Sequence, residues 1–339
     1  MSLNALSLAQ GKCYTIRPSN YQSHSKGSDV ITLHNGRLTV RINERLGAEV
    51  AQISVDAIDL LAYYDWDSPV AVGRSTSYEN HRHDWLSEYR GGWQFLIPNA
   101  GPECEVDGVN LPFHGEWSRT HVDVLYQTGS MVRVRAGTRL PITVTREIAL
   151  RANPDRLEIV TSVENPTADV TSFIWGEHPA FRVRAGDFID LPTSSVADSS
   201  GTSIGIWPLA GSARLDVIND ESPHESVHFI TDLDHGWAAL RRIDIGIAMA
   251  WDAKDFPHVW LWRENGSRGF PFYGRASLVA IEPACTWPGL GLAEARRRGQ
   301  AISLSPGELR STRISLTPFV PSRVQVSNVT VDGQITFGR

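Results

Sequence analysis

Cysteine is scarce: Cys13, Cys104 and Cys285 stand far apart in 339 residues, with no C-x-x-C pair. That spacing argues against a disulfide framework and against a thiolate zinc site, and a reducing compartment, the cytoplasm, is expected. Long apolar runs are also missing. No stretch approaches the ~18 residues of a membrane span, and Met1–Gly11 lacks a basic segment followed by an apolar core. Neither membrane insertion nor export by a signal peptide is expected. Positive charge forms no block: the densest cluster, Arg296-Arg297-Arg298, has no aromatic interleaving, and the formal net charge of -6 gives no footing for nucleic acid. Helical periodicity is thin, with Asp84–Arg90 and Leu292–Arg298 the best short candidates. A dinucleotide glycine motif after a strand, a Walker sequence and a His-Glu-x-x-His zinc motif are all absent.

What the sequence has in quantity is alternation. Ile31 and Leu33, then Leu38, Val40 and Ile42, then Val50, Ile53 and Val55 recur at period two, with a turn at Asn35-Gly36 that marks a hairpin. The same texture returns at Val122–Tyr126, Val132–Ala136, Ile142–Leu150, Leu157–Val163, Val227–Ile230, Trp237–Arg241, Ile245–Trp251, Val259–Trp262, Leu278–Ile281, Ala301–Leu304 and Arg313–Leu316. Many short strands separated by turns at ~8–12 residues predict an all-β sandwich or barrel. No linker of Pro, Gly and Ser divides the chain, so one catalytic domain is expected over 29–320, after an N-terminal arm over 1–28. Residues 321–339 alternate around Asp332-Gly333 and are expected to form a hairpin or tail on an edge of the sandwich.

Three stretches concentrate titratable residues. Glu88–Arg119 is a long loop rich in Gly and Pro, which supplies Arg90, His114 and Arg119 as donors to hydroxyls. Thr171–Phe181 is an apolar run leading to Glu177-His178-Pro179, in which the proline is expected to end the strand, leaving His178 at a cleft and Glu177 exposed on the opposite face. A histidine of ordinary pKa ~6.5 suits proton transfer near neutrality. Leu278–Pro283 repeats the design: four apolar residues, then Glu282, then proline. A carboxylate after such a run needs a partner if buried, either a salt bridge, with Arg275 a candidate, or a role as general base. Among the aromatics around it, Trp262 is the first choice for stacking on a bound ring.

Taken in order, Arg90-Gly91-Gly92, Pro112-Phe113-His114-Gly115 with Arg119, Gly176–Phe181, Ile281-Glu282-Pro283, and Leu304–Glu308 with Arg313 resemble the aldose 1-epimerase (galactose mutarotase-like) family, across Asp29–Pro318. The resemblance implies a mainly antiparallel β-supersandwich, a site needing neither metal nor cofactor, and interconversion of the α and β anomers of an aldose. It implies Glu282 as base, His178 as acid, and His114 and Arg90 as sugar-binding residues. The acid motif is reduced here to His-Pro-Ala-Phe, and the family's distal aspartate has only unranked candidates in Asp232, Asp234 and Asp255.

The expected partner is therefore a small sugar, and Arg263, Arg268 and Arg275 leave an anionic one open. A monomer or homodimer is expected, with no nucleic acid and no membrane partner. Two other readings stand beside catalysis by ring opening. One is a carbohydrate-binding protein without turnover. The other is a glycoside hydrolase or lyase, which would need Glu116 or Glu103 facing Glu282.

Overall fold

In the computed structural model, residues 30–64, 81–219 and 223–338 are described, so the arm expected over 1–28 lies outside the described residues. Two large sheets dominate, one of eleven strands and one of eight. The alternation explains why. In Val30–His34 and Leu38–Asn43 every second residue is buried, and the two strands pair antiparallel from Val30↔Asn43 to His34↔Thr39. Val132, Val144, Ile148, Leu157, Ile159, Ile314 and Leu316 of the second sheet meet Leu33, Val40, Ile53, Phe95 and Phe181 of the first in one continuous core. The fold is all-β, as the periodicity predicts, and mainly antiparallel, as the resemblance implies; among the described residues the two α-helices, His81–Glu88 and Gly291–Arg297, overlap the two weak helical candidates.

The order of the larger sheet places the chemistry. Glu49–Val55, Trp93–Leu96, Gly176–Arg182, Ser277–Ala284, His258–Asn265 and His224–Thr231 lie side by side at its centre. Here the proline expectation is corrected. The strand Gly176–Arg182 runs straight through Pro179, and Ser277–Ala284 continues past Pro283. A proline withholds one N–H from a ladder, but these two strands are registered on both sides of the prolines, by Gly176↔Ala284 and by Ala180↔Ala280. The gap in hydrogen bonding is local and the strands stay adjacent.

Glu177 is the second correction. Alternation does set it opposite His178, but that face is the sandwich interior, where Glu177 is fully buried. Its Oε2 accepts from Trp93 Nε1 at 2.7 Å and from Arg146 Nη2 at 3.1 Å, and the Arg146 guanidinium lies 4.3 Å from the Phe95 ring centre.

The C-terminal strands Val326–Val329 and Ile335–Phe337 pair as a hairpin that lies on a sheet face, not an edge. Val326 and Val329 cover Trp237, Ala239, Ala248 and Ala250, and Val326 N–H donates to Asp190 Oδ2 at 2.9 Å. Among the described residues no helix is long and apolar enough to cross a membrane.

Candidate active site

One row of side chains crosses the outer face of the larger sheet. The pairs His178↔Gln94, Trp260↔Glu282 and Phe229↔Trp260 are direct rungs. Two residues inward from the Gly176↔Ala284 rung, His178 falls opposite Glu282. One residue on from Val50↔Trp93, Glu49 falls opposite Gln94. Residues on one rung share a face, so Glu49, Gln94, His178, Glu282, Trp260 and Phe229 all project from the same side. His178 Nε2 lies 3.4 Å from Glu282 Oε1, both almost wholly buried.

The row opens into a cavity of about 330 Å³. Trp260 and Trp262 form one wall, Trp85 of the helix His81–Glu88 and Phe113 form another, and His114 joins His178 and Glu282 at the floor. Trp85 packs edge-on against both histidines, with ring centres 4.8 Å from His114 and 5.5 Å from His178. Flat, apolar walls with a few convergent polar groups are the usual lining of a small-molecule pocket.

His114 is held by its loop in the left-handed region, with φ +58. Gly101 N–H donates to its Nδ1 at 3.0 Å. An Nδ1 that accepts cannot carry a proton, so the ring is neutral and its remaining nitrogen, Nε2, is an N–H donor. Burial lowers the pKa of His114 well below the ordinary value, with the charge of His178 adding to the effect. The loop's glycines are required: a Cβ on Gly115, φ +74, would lie 2.3 Å from Ile97 O.

Burial also governs the central pair, lowering His178 to about 4 and raising Glu282 well above the usual carboxylate range. A neutral imidazole beside a carboxylic acid holds the same single proton as an imidazolium beside a carboxylate. Near neutrality the pair therefore carries one proton between two adjacent sites, and its titrations belong to the pair.

The remaining residues named from sequence fall in different places. Trp262 lines the cavity. Arg90 and Arg119 line a neighbouring cavity of about 280 Å³ that shares only Trp85 with the first, and Arg119 pairs with Glu88 at 2.9 Å. Asp232, Asp234 and Asp255 do not line the cavity; Asp255 pairs with Arg310 at 2.8 Å. Nor do Glu103 or Glu116, the latter paired with Arg139 at 3.0 Å. The carboxylate that does join Glu282 there is Glu225, whose Oε1 accepts from Trp262 Nε1 at 3.0 Å and Arg82 Nη2 at 3.1 Å. Its signal lay in the sequence: Glu225, Val227 and Phe229 alternate onto one face of His224–Thr231. The apolar run marks only Val227–Ile230 as strand, because Glu225 is polar at the position where the strand begins.

No protein-family model matches this sequence, and no curated protein matches it. Solved structures do. The Slr1438 protein from Synechocystis sp. PCC 6803 superposes with a TM-score of 0.66 at 17% identity, over 85% of this chain and 95% of that one. A galactose mutarotase related enzyme from Lactobacillus acidophilus gives 0.63 at 17% identity, over 87% and 98%. A galactose mutarotase-like protein from Lactobacillus casei gives 0.57 at 17% identity, over 86% and 100%. This chain has the galactose mutarotase-like fold. Within that fold, the His178–Glu282 rung sits at the centre of the larger sheet, between walls of aromatic side chains.

Proposed function

We propose that the protein interconverts the α and β anomers of a neutral aldose by acid–base ring opening and reclosure. The observation that carries this reading is the His178–Glu282 contact of 3.4 Å on the floor of an aromatic cavity. Opening a hemiacetal removes the proton from the C1 hydroxyl and delivers one to the ring oxygen. Those two oxygens share one carbon, so an acid and a base that are side by side can each reach one of them.

With one proton on the pair, Glu282 takes the hydroxyl proton while His178 protonates the ring oxygen. Reclosure runs the exchange backwards, and each group ends as it began. His114 Nε2–H steadies an oxygen of the ring, and Trp262 and Trp260 offer faces to its C–H groups. Positioned acid–base groups each contribute typically ~10²–10⁴-fold.

The charges at the cavity favour a neutral sugar. Arg263, Arg268 and Arg275 do not line it; Arg82 does, and Glu225 accepts one of its N–H groups. Glu225 thereby stands where distal hydroxyls would reach, with its Oε2 available to them. Paired-carboxylate hydrolysis is disfavoured, because Glu225 lies two strands over and four residues along from the Glu282 rung. That is roughly 16 Å between Cα atoms at ordinary strand spacings, so the two side chains would have to reach toward each other across the cavity to act as a pair, whereas Glu225 Oε1 is turned to Trp262 and Arg82. The test is anomer exchange measured by NMR magnetisation transfer on a panel of neutral hexoses and pentoses. Tight sugar binding with no faster exchange would make the protein a carbohydrate-binding one instead.

A further inference from the structure

Around His178 four polar atoms are shielded from solvent and make no hydrogen bond: His178 Nδ1, Gln94 Oε1, Glu49 Oε2 and the Tyr89 hydroxyl. Buried polar atoms without partners are uncommon and costly. These four are neighbours. Gln94 shares a rung with His178, and Gln94 Nε2 donates to Glu49 Oε1 at 2.9 Å. The Tyr89 ring lies 5.5 Å from the His178 ring, and its hydroxyl feels the charges of both Glu49 and Glu282.

We propose that Gln94 and Glu49 are positioning residues for the acid: Gln94 Oε1 accepts the His178 Nδ1–H, and Glu49 polarises the Gln94 amide from behind. The inference rests on the role given to His178 above. Its chemistry is a matching of donors to acceptors. Gln94 donates to Glu49 through Nε2, and its amide oxygen, which can only accept, is the atom left without a partner on the rung beside His178. An imidazole that donates from Nδ1 presents Nε2 to the sugar and to Glu282, which is the nitrogen that must load and release the catalytic proton. The Tyr89 hydroxyl then closes the set against Glu49 Oε2, and all four atoms are satisfied. Chains of this kind strengthen their members.

The groups that set the charge here can be named. Glu282, His114 and Tyr89 face His178, while Gln94 and Arg90 act on Glu49, and Arg82 acts on His114. Glu177 belongs to the other face, paired with Arg146. Glu49 itself is raised to about 7 by burial, so its charge, and with it the acceptor strength of Gln94, changes near neutrality.

The experiment is ¹⁵N NMR of the histidine side chains in the full-length protein, with the His178 signals assigned by their loss in His178→Asn. In the neutral form the wild type should carry its proton on Nδ1. Gln94→Leu should move that proton to Nε2 or to a mixture. Gln94→Glu, which sets a carboxylate against Nδ1, should keep it on Nδ1 and raise the pH at which the ring is half-protonated. This second variant carries the test if Gln94→Leu fails to fold. In the anomer-exchange assay, Gln94→Leu should lower kcat about tenfold with KM unchanged. A wild-type His178 protonated on Nε2, or the same tautomer in the wild type and Gln94→Leu, would overturn the proposal. Because the tautomer is read without turnover, a protein that fails to accelerate anomer exchange contradicts the functional reading alone.

Discussion

His178 and Glu282 share one rung of two neighbouring strands, with 3.4 Å between Nε2 and Oε1, although Pro179 and Pro283 each withhold an N–H from the ladder beside them. The pair is placed by backbone register on both sides, not by a mobile loop. Sites built on strands hold their geometry more closely than sites built on loops. Four expectations follow from the surroundings of this rung.

The pH profile of kcat/KM should be broad. Activity needs one proton on the pair. His178 is lowered to about 4, so the acid limb should appear near that pH, where the pair gains a second proton and loses its base. Glu282 is raised well above its ordinary value, so the alkaline limb, where the acid is lost, should lie well above the usual carboxylate range. Initial rates of anomer exchange across pH test this. A single limb at the ordinary histidine value of ~6.5 would contradict it.

Glu225 should govern the grip on the sugar more than the chemistry. Glu225→Ala removes the acceptor shared by Trp262 and Arg82. KM should rise about tenfold, the scale of one or two lost hydrogen bonds to a charged group, while kcat changes little. Substrate-saturation curves on neutral hexoses check both parameters, and an unchanged KM would contradict the assignment.

Glu49 should make the fold less stable as the pH rises. Its folded pKa, about 7, lies above the ordinary 4.5, so the native state holds a proton that the unfolded chain releases. Stability from this group is full below 4.5 and declines as pH rises through 7. Glu49→Gln removes the decline, so urea unfolding should show the variant more stable at pH 8 by up to about 3 kcal/mol. Below the ordinary value the two proteins should match. Equal stability at both pH values would contradict the assignment.

The Glu177–Arg146 pair should be costly to break and cheap to remove whole. Both side chains are almost entirely buried between the sheets. Arg146→Met leaves the Glu177 carboxylate uncompensated and should cost about 3–5 kcal/mol, whereas the double variant Arg146→Met/Glu177→Gln should recover most of it. Thermal melts of the single and double variants make the comparison. Because Glu177 precedes His178, the single variant should also lower kcat.

Much of this was legible in the sequence, and the exceptions have physical causes. Period-two alternation marks the strands because each has one face in the core, and the two weak helical windows are helices. His178, Glu282, His114 and Trp262 all meet at one cavity. Sequence could not tell that the face opposite His178 is the sandwich interior, so Glu177 reads as exposed when it is buried. Nor could it tell that Pro179 and Pro283 sit inside strands, since their register is fixed by residues beyond them. Arg90 and Arg119 belong to the same Gly-rich loop region as His114, yet they turn into the adjoining cavity across Trp85. Glu225 escapes because it sits where the apolar pattern has not begun. Gln94 and Glu49 escape because a cross-sheet row joins residues that are distant in the chain.

The most direct test of the account is anomer exchange on neutral aldoses, measured by NMR magnetisation transfer for the wild type, Glu282→Gln and His178→Ala at equal concentration. The account predicts acceleration by the wild type and a loss of about 10²-fold or more in each variant, with sugar binding to Glu282→Gln retained. Full activity in either variant would contradict it.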